Sequence, residues 1–263
     1  MSDSSATILT ATRIEFPNRS GQILSGRLDQ PVGSPIAWAV FAHCFTCTKN
    51  LRAIGHLAGS LVVTGIAVSR FDFTGLGASE GEFAETTFSH NVEDLVAAAK
   101  QMDRVYGTPR LLIGHSLGGT AALHAAARLP VIRAVATLGS PAHASHIARL
   151  LRTSLPEIEA SGEAQVNLGG RTFTTRCEFL RDLEQHTTLD IVRDLRLALL
   201  VPHSPLDAMV EIENAADIFC AARHPKSFIS LDCSDHLLTA EADAADAGSV
   251  LAAWARKYVT TSD

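Results

Sequence analysis

The segment "RLLIGHSLGGTAALHAAARL" (residues 110–129) contains a serine in a setting that favours nucleophilic chemistry. Residues 114–118, GHSLG, fit the pattern G-x-S-x-G, with an apolar run before it and a small-residue helical pattern after it. A strand, turn and helix of this kind would expose the Ser116 hydroxyl at a sharp turn. The Leu117 backbone N–H would then lie at a helix N-terminus, where it can bind developing negative charge. The pattern therefore predicts Ser116 as a nucleophile and Leu117 as an oxyanion donor.

A serine nucleophile needs a general base, and the base needs an acid that orients it. Asp207 follows the apolar run "LALLVPHS", and His236 follows "KSFISLDCS". Together with Ser116 they give the chain order serine, aspartate, histidine that accompanies G-x-S-x-G sites. Rival residues fit this order less well: the histidines do not follow the final strand, and the aspartates precede a strand or are more typical of loops and caps. These rivals are His203, His224, Asp190, Asp194, Asp232 and Asp235.

The stretch "FAHCFTC" (residues 41–47) is open to three interpretations. Cys44 and Cys47 have the C-x-x-C spacing of a redox pair, but thioredoxin-like folds are much shorter and carry no G-x-S-x-G motif. A zinc site would need a second ligand pair, and Cys220 and Cys233 are widely spaced. The third interpretation is a strand that runs into a loop whose backbone helps to bind an oxyanion, with no chemical role for the sulfurs.

Two further motifs have structural interpretations that outweigh chemical ones. The glycines of "FDFTGLGASEG" miss the dinucleotide-binding spacing, since Glu80 stands where the third glycine is required. We interpret Asp72 as the residue that ties this loop together. His143 and His146 have the spacing of a metal pair on one helix face, but such histidines are more often solvated, so we predict no metal site.

These residues need a scaffold, and apolar runs alternating with helical patterns indicate one. Continuously apolar runs are typical of strands covered on both faces, which predicts a mostly parallel, doubly wound sheet. "TRIEF" and "QILSGRLDQP" predict an antiparallel hairpin at one edge. The strand candidates are "IAWAVFAHC", "GIAVSRFDF", "RLLIGHS", "VIRAVATLGS", "LALLVPHS" and "KSFISLDCS". The helix candidates lie near 50–64, 87–106, 117–129, 210–222 and 239–260.

Residues 141–190 separate two strands by more than one helix requires. They contain the stretch "HASHIARLLRTSL", a small hairpin "EAQVNLGGRTFTT" and the helix-like stretch "CEFLRDLEQH". Long insertions at the ligand-binding edge of a sheet are often lids. We therefore expect a single domain over residues 1–263 with a small cap insertion at 141–190.

Composition excludes several classes of function. The chain has 263 residues, a formal charge of −6 and a sequence pI near 6.0, so it attracts neither nucleic acid nor an anionic membrane surface. No apolar run is long enough to span a bilayer, and the start has no signal-peptide pattern, so we expect a cytoplasmic location. Five cysteines in such a chain predict no disulfide framework.

Five stretches resemble the α/β-hydrolase superfamily, and the resemblance covers nearly the whole chain. More narrowly, the sequence is similar to the hydrolase portion of bacterial proteins in which such a domain precedes an OsmC-type domain. Since the sequence ends at Asp263, we expect no second domain. The stretches are "FAHCFTCTKN", "AVSRFDFTGLGASEGEF", "LLIGHSLGG", "HSPLD" and "ARHPKSFISLDCSDHLLT".

The resemblance implies the α/β-hydrolase fold and a triad of Ser116, Asp207 and His236. Many superfamily members have His-Gly-x where this chain has His43-Cys44-Phe45, which implies that the Phe45 N–H is the second oxyanion donor. We expect a carboxylesterase that acts on small to medium-sized ester molecules through an acyl-enzyme, without a cofactor. Thioesterase, amidase and perhydrolase activity are alternatives with the same triad. A thiol-based redox or accessory protein is the alternative from another class.

Overall fold

The chain folds around one eight-stranded sheet, and the computed structural model describes residues 9–168 and 171–260. The strands are β1 Leu9–Pro17, β2 Ile23–Pro31, β3 Ala37–Ala42, β4 Ile66–Phe71, β5 Pro109–His115, β6 Ala134–Leu138, β7 Glu163–Leu168, β8 Arg171–Arg176, β9 Ala198–His203 and β10 Lys226–Ser230. The sheet order is β1-β2-β4-β3-β5-β6-β9-β10. Neighbours from β4 to β10 run parallel, whereas β1, β2 and β4 pair antiparallel. The predicted parallel sheet with an antiparallel hairpin at one edge is confirmed.

Helices cover both faces of the sheet because its strands are apolar on both sides. The helices are α1 Arg52–Val63, α2 Phe88–Val105, α3 Leu117–Ala126, α4 Leu155–Ser161, α5 Cys177–Glu184, α6 Thr188–Asp194, α7 Glu213–Ala221 and α8 Glu241–Val259. Along β3, Ala39 and Phe41 join the core with α1 and α8, and Val40 and Ala42 join the core with α2 and α3. Within the described ranges, no helix is long and apolar enough to cross a membrane.

Between β6 and β9 the chain leaves the sheet and builds a separate group of short elements. A 3₁₀ turn at Ala144–Arg149 is followed by α4, the antiparallel pair β7–β8, α5 and α6. The predicted hairpin and the helix at "CEFLRDLEQH" are both present, and the hairpin turn at 169–170 lies outside the described residues. We refer to residues 141–190 as the insertion.

Residues 143–155 form no continuous helix, since the chain forms the 3₁₀ turn there and begins α4 only at Leu155. Proline fits the first turn of a helix but not its interior, so Pro156 marks a helix start rather than a continuation. The 3₁₀ turn is also held by tertiary contacts, because His146 hydrogen-bonds to the Met209 carbonyl through Nε2 at 3.0 Å and Ile147 is buried.

Candidate active site

Ser116 occupies a sharp turn between β5 and α3. Its backbone angles are φ 54° and ψ −129°, in the positive-φ region that non-glycine residues rarely adopt. Strained backbone of this kind persists only where the surrounding structure enforces it, and it clusters at functional sites. The turn was predicted to expose the serine, and this is wrong: Ser116 is buried, with 5% of its surface exposed.

Three glycines around Ser116 stand where the neighbouring atoms leave no room for a Cβ. A Cβ on Gly114 would lie 2.3 Å from the Gly118 carbonyl oxygen, and one on Gly119 would lie 1.9 Å from Ser140 Oγ. A Cβ on Gly118 would lie 2.3 Å from the His43 carbonyl oxygen. The first turn of α3 therefore packs directly against the end of β3 and the loop that follows it.

Asp207 and His236 meet after β9 and β10, as the order of elements predicted. His236 Nδ1 lies 2.7 Å from Asp207 Oδ2, and Asp207 Oδ1 accepts hydrogen bonds from the Met209 and Val210 amides, each at 2.9 Å. Burial by itself raises the pKa of Asp207, but the hydrogen bonds and the charge of His236 outweigh it and lower that pKa. An ionised carboxylate can only accept, so Nδ1 of His236 carries a proton and Nε2 of the neutral ring is left as an acceptor.

The backbone of Ser116 lies beside this pair. The Ser116 N–H donates to the Leu138 carbonyl at 2.8 Å. Gly139, which follows Leu138, lies so close to Asp207 that a Cβ on it would be 3.1 Å from Asp207 Oδ2. His115 donates from Nε2 to the His236 carbonyl at 2.6 Å, a long-range bond that the sequence did not reveal. Within the described residues, no hydrogen bond joins the Ser116 hydroxyl to His236.

His203, the main rival for the base, has a different environment. It is fully buried, and Nε2 donates to the Val210 carbonyl at 2.8 Å while lying 3.6 Å from Asp207 Oδ2. Burial lowers the pKa of His203, so the ring stays neutral in a supporting role under the Asp207 loop. The other rivals have local contacts: Asp235 accepts from the Thr239 amide, and Asp232 accepts from the Ser230 hydroxyl.

The two predicted oxyanion donors, the backbone N–H groups of Phe45 and Leu117, belong to neighbouring segments. The contact between Gly118 and the His43 carbonyl brings the loop after β3 against the helix that begins at Leu117. Among residues 9–168 and 171–260, neither N–H has a hydrogen-bond partner. Cys44 needs no positive φ, although glycine is usual at this place; the left-handed residue is Thr46, with φ 65°.

His43 holds the peptide that carries the Phe45 N–H. Its Nδ1 lies 2.8 Å from the Cys44 carbonyl oxygen, and its Nε2 accepts from the Phe73 amide at 3.4 Å. Burial lowers the pKa of His43 to about 4, so the ring is neutral near pH 7 with its proton on Nδ1. Because C=O and N–H point opposite ways in a trans peptide, a fixed Cys44 carbonyl also fixes the direction of the Phe45 N–H.

The far end of this loop is anchored by Asp72. The Lys49 amide donates to Oδ1 at 2.7 Å, the Lys49 ammonium pairs with Oδ2, and the Ala78 amide donates to Oδ2 at 3.0 Å. This arrangement agrees with the interpretation of Asp72 as a residue that ties loops together. It joins the glycine-rich stretch to the loop after β3, which the sequence alone did not indicate.

Cys44 and Cys47 are joined by a disulfide bond, with their Cα atoms 5.3 Å apart. The sequence predicted no disulfide framework and sulfurs without a chemical role, so this bond is a correction. The two residues are close because a tight turn separates them, with the Cys47 amide donating to the Cys44 carbonyl at 3.1 Å. Cys177, Cys220 and Cys233 are free thiols.

The insertion touches the loop after β3 through an aromatic cluster. The Phe45 ring stacks on Phe179 of α5 with centroids 5.2 Å apart and also contacts Phe83 at 5.5 Å. Phe83 in turn contacts Phe173 of β8, and Arg171 donates to the Thr46 carbonyl at 3.3 Å. One edge of the insertion therefore rests on the residues that carry the Phe45 amide.

In the part of the chain that the structure describes, no group of three or more His, Cys, Asp or Glu side chains is placed to hold a metal ion. His143 precedes the 3₁₀ turn of the insertion and is exposed, whereas His146 is buried and bound to a carbonyl.

The sheet order, the strained serine turn after β5 and the aspartate–histidine pair after the last two strands define an α/β-hydrolase. The family described as "Serine aminopeptidase, S33" matches residues 34–187, and the chain belongs to this family. An esterase domain from Rhodothermus marinus, known from a crystal structure, is 49% identical. Its TM-score is 0.79, and the match covers 95% of this chain and 99% of the other. The chain is therefore a hydrolase of the α/β-hydrolase superfamily with esterase relatives.

Curated relatives match over shorter regions. The palmitoyl-protein thioesterase ABHD10 of mouse mitochondria is 29% identical over 163 residues, which cover 59% of this chain and 53% of that protein. Human monoglyceride lipase is 33% identical over 115 residues, which cover 43% of this chain and 37% of that protein. The matched regions thus span about half or less of these two relatives. The narrower similarity to fusions with an OsmC-type domain is not shown by these comparisons.

Proposed function

We propose that the chain is a serine hydrolase that cleaves carboxylic esters of small to medium size, in the manner of a carboxylesterase. The observation that carries this proposal is the 2.7 Å hydrogen bond between Asp207 and His236, beside the strained turn of Ser116. Ester chemistry is supported by the 49% identical esterase domain. No cofactor enters the reaction, since nucleophile, base and oxyanion donors all come from the chain.

Acylation begins when Ser116 Oγ attacks the acyl carbon and His236 Nε2 takes the hydroxyl proton. Asp207 stabilises the imidazolium that forms. Its hydrogen bond to Nδ1 also keeps the ring in the orientation in which Nε2 is directed at Ser116. The carbonyl oxygen becomes an oxyanion, which accepts hydrogen bonds from the Phe45 and Leu117 amides. His236 then gives its proton to the departing alcohol, and the acyl group remains on Ser116.

Deacylation repeats these steps with water as the nucleophile. His236 removes a proton from the water as its oxygen attacks the acyl carbon, and the same two amides bind the second oxyanion. The proton returns to Ser116 Oγ as the carboxylic acid leaves. Removing one oxyanion donor typically lowers the rate by about 10²–10³-fold. The direction of the Phe45 and Leu117 N–H groups therefore accounts for a large share of the rate enhancement.

Thioester hydrolysis is the second candidate, because the mouse relative is named a palmitoyl-protein thioesterase. The same residues serve both reactions, but a thiolate leaves more readily than an alkoxide and needs less help from the protonated base. Esters and thioesters with the same acyl chain, compared by kcat/KM over a series of chain lengths, distinguish the two. A consistent preference for the thioester would move the assignment to a thioesterase.

The first test is burst kinetics with an activated ester, together with covalent labelling by a fluorophosphonate. We expect one label per chain on Ser116, located by peptide mass spectrometry, and a burst that equals the enzyme concentration. Ser116→Ala should show neither. A matched control is Ser140→Ala, because the Ser140 hydroxyl, buried nearby, donates only to the Leu138 carbonyl and should remain dispensable for labelling. Labelling of another residue would refute the proposal.

A further inference from the structure

The Cys44–Cys47 disulfide closes a ring that contains the proposed oxyanion donor. The ring includes the backbone of Cys44, Phe45, Thr46 and Cys47, and therefore three peptide units. One of them is the Cys44–Phe45 peptide, whose N–H faces the oxyanion in the proposed mechanism. This peptide cannot rotate freely while the sulfurs are bonded, because both ends of the short ring are fixed to each other.

Hydrogen bonds inside the ring act on the same peptide. The Cys44 carbonyl accepts from the Cys47 amide at 3.1 Å and from His43 Nδ1 at 2.8 Å. The first of these bonds joins the two residues that the disulfide joins, so the turn and the sulfur bridge support each other. Breaking the bridge leaves the turn with a single 3.1 Å hydrogen bond to close it.

The ring also holds a strained residue. Thr46 has φ 65°, in a region that β-branched residues rarely occupy. Such a conformation persists only where the surroundings enforce it, and here the enforcing contacts are the disulfide, the turn and the Arg171 hydrogen bond to the Thr46 carbonyl. Without the disulfide, Thr46 can relax toward negative φ, and the peptide that carries the Phe45 N–H turns with it.

We infer that the Cys44–Cys47 disulfide is a positioning bond for the Phe45 amide, so that hydrolysis at the site depends on the redox state of this pair. The inference rests on the proposed function. Cys44 is buried but Cys47 is partly exposed, so an external dithiol reaches the sulfur of Cys47. A thiolate of this reductant attacks the Cys47 sulfur, and Cys44 leaves as a thiolate. The second thiol of the reductant then attacks the reductant sulfur of this mixed disulfide and releases Cys47. The reductant becomes a cyclic disulfide, and two electrons and two protons have passed to the cysteine pair.

The expected effect is on turnover rather than on substrate affinity. The chain-entropy relation for a ring of four residues sets an upper limit of about 20-fold on the conformational bias that the bond supplies. Loss of the whole donor would lower the rate by about 10²–10³-fold. We expect a smaller loss, because in the reduced loop the Phe45 N–H still points toward the oxyanion in part of the population. We expect kcat of the reduced form to fall by about 5- to 20-fold, with KM within about twofold.

The experiment compares two redox forms of the same full-length chain. One sample is oxidised with glutathione disulfide, and the other is reduced with a phosphine that is then removed without oxygen. Alkylation and intact mass count the thiols in each sample, and kcat and KM are measured with an activated ester. Cys47→Ala should have the reduced-form kcat under both treatments. The control variant carries Cys177→Ser, Cys220→Ser and Cys233→Ser, and it should keep the full redox response.

Each outcome supports or overturns the inference. A lower kcat in the reduced form that returns on reoxidation supports it. Equal kcat in the two forms, a change confined to KM, or a pair that stays reduced under oxidant would overturn it. Absence of ester turnover and of Ser116 labelling in both forms would instead refute the proposed function, so the two failures are distinguishable.

Discussion

Asp207→Asn tests how His236 is oriented, and the structure allows its consequence to be worked out atom by atom. Asp207 Oδ1 accepts two amide hydrogen bonds and Oδ2 accepts one from His236 Nδ1. Asparagine has one carbonyl oxygen, which the Met209 and Val210 amides will retain. Its NH₂ group then faces His236 Nδ1, which has to become an acceptor. The ring proton moves to Nε2, and the nitrogen that should receive the Ser116 proton is blocked.

The wrong tautomer at this position costs about 10⁴-fold in kcat in serine hydrolases with the same arrangement. We expect a loss of that order in kcat with an activated ester, with little change in KM, because substrate contacts are untouched. Thermal unfolding measured alongside should shift by only a few degrees, since asparagine fills the same volume and keeps both amide bonds.

Asp235→Asn is the matched control for this variant. Asp235 adjoins His236 in sequence but is exposed and accepts from the Thr239 amide, so its variant should keep kcat within about twofold. Asp207→Asn retaining a tenth or more of the parent kcat would refute the reasoning. Loss of activity in Asp235→Asn with a stable fold would move the orienting acid to Asp235.

Three further predictions follow from the same contacts. Ser116→Ala should lower kcat by about 10³-fold or more in a steady-state ester assay while circular dichroism is unchanged. Gly118→Ala should lower kcat severely at constant KM, because its Cβ would lie 2.3 Å from the His43 carbonyl oxygen and displace the loop that carries the Phe45 amide. Urea unfolding should show stability falling by up to about 1.4 kcal/mol per pH unit for each of His43, His115 and His124 as pH drops from 6.5 toward 4. The native pKa values are lowered to about 4, 3 and 4, so the unfolded chain takes up protons that the fold excludes. A stability independent of pH in this range would contradict that result.

The sequence predicted the sheet and helices well because local signals were strong. Short apolar runs such as residues 111–113 are typical of strands that are covered on both faces, and the caps and small residues around them indicated the helices. The order of Ser116, Asp207 and His236 followed from the positions of strand ends, which meet at one edge of a parallel sheet. These features depend on neighbours in the chain.

The features that the sequence did not reveal depend on contacts between distant segments. Burial of Ser116 is a property of the packed chain rather than of the turn itself. The hydrogen bond from His115 to the His236 carbonyl joins residues 121 positions apart. The disulfide is a local contact, but the C-x-x-C spacing alone was compatible with a redox pair, half of a metal site or two unpaired thiols. The turn that brings the two Cα atoms to 5.3 Å was needed to identify it as a disulfide.

Four histidines lie near the proposed site, and their environments explain why one of them suits the role of base. His43, His115 and His203 are almost completely buried, and each directs a ring nitrogen at a backbone carbonyl. Burial lowers the pKa of all three, so they stay neutral and hold the backbone of the Phe45, His236 and Asp207 segments in place.

His236 differs from these three because its Nδ1 is bound to a carboxylate rather than to a carbonyl. A carboxylate stabilises the ring when it gains a second proton, whereas a neutral carbonyl in a buried site does so far less. His236 also keeps 11% of its side chain exposed, compared with none for His203. Three histidines therefore orient backbone segments, at a cost in acid stability, and His236 has the surroundings that the proposed role of general base requires.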